Sequence, residues 1–193
     1  VAAGADDTAS DEQIEVYKQN WRARHPNVVR FWKEIERAAL AAVYRMPEPI
    51  RCGKLTLRCE MRGEAKFLVL ILPSGRPLSY PFVTLIRNRF DQPAVQFMDN
   101  AELYGGWSPC NHGTGAYGGL WTENCVQAIA RDLLAAAIVR LEAAGYPVVL
   151  HVHDEVVCEV PLDSAHTVTE FQAIVNELPD WAYEQVAYCQ QSA

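Results

Sequence analysis

The sequence has no apolar run approaching the roughly 20 residues that a membrane span requires, and no basic stretch leading into an apolar one at its start. Neither a span nor a secretory leader is expected, and on that ground the chain reads as soluble, intracellular and cytoplasmic. It has no C-x-x-C pair. Cys52, Cys59, Cys110, Cys125, Cys158 and Cys189 are scattered, several of them in apolar stretches, which favours reduced structural thiols over a disulfide framework. No G-x-S-x-G is present and no cysteine has an evident histidine partner, which weighs against nucleophilic catalysis. Internal repeats and low-complexity segments are absent too. What remains is a 193-residue chain of 50% hydrophobic content, long enough to bury the core of one or two globular units.

Basic residues are scarce in one half only. Residues 101–193 hold 2 Lys or Arg against 12 Asp or Glu, whereas residues 16–89 hold 15 against 5. The net charge of −7 averages over this asymmetry. A basic half beside an acidic half suits a protein that holds a polyanion with one region and divalent metal ions with another, although solvated helix faces of differing sign give the same totals. The chain begins at Val1 rather than Met, and residues 1–10 are small and polar with two adjacent acids. They are expected to be the disordered start of a cut-out segment.

Apolar residues at helical spacing (Ile14, Tyr17, Trp21, then Val28, Phe31 or Trp32, Ile35, Ala38, Ala42) predict two helices across residues 11–44, meeting at His25-Pro26. Short strands are expected over residues 55–59, 66–72 and 77–83, with Pro73-Ser74-Gly75 as the turn between the last two. Residues 100–119, with six glycines, read as a long connection. A helix over residues 122–144 places Val126, Ile129, Ala130, Leu133, Ala137 and Leu141 on one face, and Gly145 with Pro147 ends it. Two apolar runs, 148–152 and 156–160, flank His153-Asp154-Glu155, the pattern of a β-hairpin with those three residues at its tip. A last helix over residues 164–178 and a ragged tail complete the chain. The fold class is α+β. Finger-like helices and hairpins are expected over residues 11–100, and an antiparallel palm sheet whose hairpin packs on helices over 101–193.

Adjacent carboxylates between buried strands repel one another unless a cation sits there, and Mg²⁺ takes one or two carboxylates plus substrate phosphates. An exposed acidic turn is the plainer alternative. The surrounding string Leu150-His151-Val152-His153-Asp154-Glu155-Val156-Val157-Cys158-Glu159-Val160-Pro161 resembles motif C of family A (bacterial polymerase I-like) DNA polymerases. Upstream, residues 117–134, including Val126-Gln127-Ala128-Ile129-Ala130-Arg131-Asp132, resemble the helix before motif C in the phage-type branch. Leu72-Pro73-Ser74-Gly75-Arg76 and His25-Pro26-Asn27-Val28-Val29-Arg30-Phe31-Trp32 resemble further segments in the same order. The likeness runs over about residues 11–181.

The resemblance implies transfer of a nucleotide from a dNTP to a primer 3′-hydroxyl, with Asp154 and Glu155 as Mg²⁺ ligands and His153 beside the primer terminus. It also implies that Gln127 and Asn124 touch primer-template DNA and that Arg76 is the arginine of the family's Gly-Arg segment; Arg76 and Arg131 are expected to contact the DNA with them. Asn124, Gln127 and Arg131 are three and four residues apart and so form one polar stripe, flanked by Ala128 and Ala135. Neutral amides suit the acceptors common to every minor-groove base pair. Asn124 could instead cap a helix start, and Arg131 could pair with Asp132 or a neighbouring strand. His151 and His153, an H-x-H on one strand face, would also suit a metal hydrolase, but no further His or Asp cluster supplies its remaining ligands. The family's motif A aspartate and the lysine and tyrosine of its motif B have no equivalent here. The expectation is therefore the C-terminal part of a polymerase that lacks the N-terminal part and is inactive alone, with a non-catalytic DNA-binding remnant as the alternative.

Overall fold

The computed structural model describes residues 10–101 and 106–183. The expected disordered start and ragged tail, with Cys189, lie outside them, apart from Ser10 and residues 179–183. Helix α1 (Asp11–Arg24) opens with a capping box. Ser10 Oγ accepts from the Gln13 backbone N–H at 3.3 Å, and Gln13 Oε1 accepts from Ser10 N–H at 2.9 Å. His25 separates it from α2 (Pro26–Tyr44), where Pro26 occupies the first turn, the helical position that tolerates proline best. The two helices expected on either side of His25-Pro26 are therefore present. The stripe of α1 stays exposed, however, and among the described residues only its Trp21 has ring partners, stacking on His25 and on Trp32.

Helix α2 buries Ile35, Ala38, Ala39, Ala42 and Val43 against an antiparallel sheet in the order β1 (Ile50–Cys52), β2 (Leu55–Arg62), β3 (Ala65–Ile71), β4 (Pro77–Pro81). The register sets Cys59 opposite Leu68 and Leu68 opposite Tyr80, so these three form one cross-strand row on the core face. Three strands were expected here, and β1 adds a fourth. Two further hairpins follow, β5 (Thr84–Arg87) with β6 (Pro93–Gln96) and β7 (Met98–Ala101) with β8 (Gly106–Pro109), and then a 3₁₀ turn at Cys110–Gly113. The long connection expected over residues 100–119 is thus partly paired strand. Cross-strand partners decide this where runs of four residues carry too little pattern of their own.

Helix α3 (Gly118–Ala143) begins earlier than expected because Gly118 lies against α2. A Cβ there would stand 2.2 Å from the Trp32 carbonyl oxygen, and the Gly118 N–H donates to Glu36 Oε2 at 3.0 Å. The helix ends where expected, with Gly145 at φ +83° and Tyr146 N–H donating back to Leu141 O. Its buried face differs from the expected one. Trp121 and Cys125 pack on α2 and the sheet, whereas Ala137 and Leu141, roughly half a helical turn around, face the C-terminal layer; Val126 and Ala130 are exposed. A helix that changes its buried side midway has no single apolar stripe to read.

The core joins α2, the four-stranded sheet, Val83, Val95, Phe97, Cys110, Ala116 and the first half of α3, and so includes residues on both sides of position 100. Helix α4 (Val168–Asn176) packs on the second half of α3. It is shorter than expected because Ser164 N–H closes a turn on Pro161 O and Thr167 caps the helix start. Strands β9 (Val148–Val152) and β10 (Glu155–Cys158) form the expected hairpin.

Candidate nucleic-acid interface

Register determines the floor of the site. Tyr80, placed on the core face of β4, meets Phe97 and Trp121 edge-on at 4.8 Å each, and Phe97 meets Trp121 at 5.6 Å. Burial pushes the Tyr80 phenol well above its ordinary pKa, partly opposed by a hydrogen bond from Asn124, so the group stays neutral. Asn124 Nδ2 donates to Tyr80 Oη at 3.3 Å. Asn124 is well inside α3 and half-buried, and Tyr117 holds the N-cap position, so the reading of Asn124 as a cap is corrected.

Between β4 and α3 lies an open groove of about 430 Å³. Arg76, Tyr80, Asn124, Gln127 and Arg131 line it, with Leu78, Ser79 and Ala128 as its small and apolar walls. All four residues assigned to DNA contact, drawn from segments about 50 residues apart, meet on one surface. Ala135 of the expected stripe is exposed and does not line the groove.

Arg76 is held by residues that the sequence placed in other roles: a turn, a small flank of the stripe and a partner for Arg131. Its Nε donates to Asp132 Oδ1 at 2.5 Å and its Nη2 to the Ala128 carbonyl at 2.8 Å, while Ser74 Oγ donates to Asp132 Oδ2 at 2.5 Å. The Asp132 side chain is 11% exposed and that of Arg76 42%, so the clamp is half sheltered and the guanidinium still faces the groove. Asp132 therefore pairs with Arg76 across the groove, and the expected alternative of an Arg131–Asp132 pair is replaced. Gln127 Nε2 donates to Glu123 Oε1 at 3.3 Å on the exposed side of α3. Amide, phenol and guanidinium groups around a small Ala128 make a donor-rich concavity able to meet minor-groove acceptors and backbone phosphates.

The hairpin departs from expectation in three respects. Glu155 belongs to β10 and pairs with Val152, so the tip is the two-residue turn His153-Asp154. His153 adopts φ +52°, which takes it out of the strand and removes the shared face proposed for His151 and His153. The flanking strands are less buried than expected: Val149, Leu150, Val152 and Val157 face solvent, and Val148, Val156 and Cys158 are half-buried. Runs apolar on both faces suit a strand covered on both. His153, Asp154 and Glu155 do not line the groove. Among the described residues no three His, Cys, Asp or Glu side chains gather as a metal nest. The two carboxylates are hard oxygen donors of the kind Mg²⁺ takes and could supply only part of such a shell.

The five cysteines among the described residues are free, with Cys52, Cys59, Cys110 and Cys125 buried. Burial pushes the Cys125 thiol up to about 12, which leaves it inert as a nucleophile.

Over 176 residues, 90% of its length, the chain is 38% identical to a protein of Bacillus phage SP02. That relative is a DNA polymerase. The match spans 25% of the polymerase, so the chain covers about a quarter of its relative's length. A match this long necessarily takes in both the groove and the hairpin. No protein-family model matches the chain, and no solved structure matches it. No described helix is long and apolar enough to cross a membrane.

Proposed function

We propose that the chain is the C-terminal part of a family A, phage-type DNA-directed DNA polymerase, with residues 11–100 finger-like, residues 101–193 in the palm, and cytoplasmic DNA replication as its setting. The observation that carries this reading is the meeting of Arg76, Asn124, Gln127 and Arg131 on one groove between β4 and α3. The likeness to a phage DNA polymerase supports it.

In this reading the groove takes the duplex end of a primer-template. Gln127 and Asn124 donate to minor-groove acceptors, which gives binding without sequence preference. Arg131 and Arg76 meet phosphate or sugar oxygens, with Arg76 steadied by Asp132. Tyr80 presents a neutral hydroxyl that accepts from Asn124 and keeps a proton to donate. His153 sits beside the primer terminus, whose 3′-hydroxyl attacks the dNTP α-phosphate with release of pyrophosphate. Asp154 and Glu155 would hold Mg²⁺, which supplies charge stabilisation to the attacking and leaving oxygens. The described residues alone offer too few ligands and no cationic clamp for the triphosphate, so in this reading polymerisation needs the N-terminal part as well.

The test is duplex affinity of the purified chain over a range of salt, with primer extension at several Mg²⁺ concentrations alongside. Weak binding that falls steeply with salt is expected, without extension, because the basic segment 16–89 supplies most of the attraction. Joined to the N-terminal part, extension should return and Asp154→Ala should nearly abolish it while primer-template binding survives. Salt-independent binding, or full turnover with Asp154→Ala, would overturn the reading.

A further inference from the structure

The polar groove does not end at Tyr80. A second concavity of about 360 Å³ opens on the far side of the Tyr80–Asn124 hydrogen bond, and Ser79, Tyr80 and Asn124 line both. Its chemistry is different. Where the first groove presents Arg76 and Arg131, the second has, among the described residues lining it, no cation and one carboxylate, Asp99. Its walls are Trp107, Met98, Phe97 and Leu120.

Trp107 is the most exposed of the tryptophans. It sits on the two-stranded β7–β8 ribbon, 57% exposed, with Phe82 edge-on at 6.1 Å and 80°. Phe82 is itself 50% exposed and holds a left-handed backbone at φ +54°, which bulky residues rarely adopt. Two half-exposed aromatic rings braced at right angles are a poor use of apolar surface in a folded core but a ready platform for a flat ligand. A phosphate would be repelled by Asp99 and find no cation in return. A nucleobase would present an uncharged π-face to the ring and amino groups to the carboxylate.

We propose that this second concavity takes one unpaired nucleobase, stacked on Trp107, from the single strand that continues the duplex held in the first groove. The proposal rests on the duplex reading of that first groove, and continuity through Tyr80 and Asn124 is what selects a nucleic-acid strand as the occupant. Stacking on an aromatic ring is tolerant of sequence, as is amide recognition of the minor groove, so both subsites suit a protein that handles any sequence.

The test compares two fluorescein-labelled DNAs of the same duplex length, one blunt and one with a short 5′ overhang, by anisotropy with the 193-residue chain. Wild type should favour the overhang by roughly 5- to 10-fold. Trp107→Ala should bring the ratio of the two affinities to about 1, Trp107→Phe should keep part of it, and an abasic site at the first unpaired position should abolish it in wild type. Because the readout is a ratio, a general loss of folding lowers both affinities and does not imitate the result. No overhang preference in wild type, or a preference that Trp107→Ala leaves intact, overturns the stacking site while the first groove stands. An Asn124→Ala/Gln127→Ala double variant should weaken both DNAs; if it weakens neither, the duplex reading fails and the stacking proposal with it.

Discussion

Gly118→Ala is the substitution that should disturb this fold most for the smallest change in mass. The added Cβ would stand 2.2 Å from the Trp32 carbonyl oxygen, 2.6 Å from its carbon and 2.9 Å from its Cα, all backbone atoms of α2 that no rotamer can move. Ordinary contact begins near 3.4 Å, so α2 and α3 would have to part by about 1 Å where Ile35 and Trp121 are fully buried. Overpacking of this kind costs about 1–3 kcal/mol, and loss of the Gly118 N–H bond to the Glu36 carboxylate adds about 1.5–3 kcal/mol. Better helix propensity returns about 1 kcal/mol. The net loss is about 3 kcal/mol, which for a chain of this size lowers Tm by roughly 6–12 °C. Gly119→Ala is the control: the nearest atoms to its Cβ would belong to the ring of Tyr117, which is half exposed and can swing away, so its Tm should stay near wild type or rise slightly. Urea denaturation and thermal melts of the three proteins decide the matter. Equal midpoints for Gly118→Ala and Gly119→Ala would refute the close approach of α2 and α3.

Asp132→Ala should destabilise by about 1–3 kcal/mol, and in a double-mutant cycle with Arg76→Ala the loss in the double variant should fall short of the sum of the two single losses; additive losses would mean the clamp carries nothing. The Tyr146 hydroxyl, donating to Glu170 Oε2 at 2.7 Å, holds that carboxyl below its ordinary value of 4.5. The stability linked to this depressed acid is fully present above that value and lost as pH falls through the lower folded one. Urea midpoints of Tyr146→Phe should therefore depend less on pH on the acid side than those of wild type, and parallel curves would contradict the bond. Cys52, Cys59, Cys110 and Cys125 should resist iodoacetamide at pH 8 in the native chain and react once urea unfolds it, as peptide mass spectrometry would show; fast native alkylation of Cys125 would contradict its burial.

What could be read from the sequence was carried by local signals. Gly145 and Pro147 mark the end of α3 because a left-handed residue followed by a helix stopper acts on its own turn. Asn124, Gln127 and Arg131 could be grouped because three- and four-residue spacing aligns them on any helix, and Arg76 joined them through the resemblance of its Ser-Gly-Arg turn. What could not be read was set at a distance. Gly118-Gly119 looks like loop, and only the backbone of Trp32 explains why a helix starts there. Asp132 neighbours one arginine in sequence but pairs with another 56 positions away. Tyr80 and Asn124 lie 44 positions apart, and Tyr80 reaches the groove floor through the β3–β4 register. The exposure of Val126 follows from α3 packing on different partners along its length.

The central claim is that the surface between β4 and α3 holds duplex DNA. It is tested most directly by titrating a short blunt duplex into isotope-labelled chain and following the side-chain amides of Asn124 and Gln127 with the Nε–H signals of Arg76 and Arg131. All four should shift along one binding curve and return as salt is raised. Shifts confined to α1 or the hairpin, with these four unmoved at saturation, would contradict it.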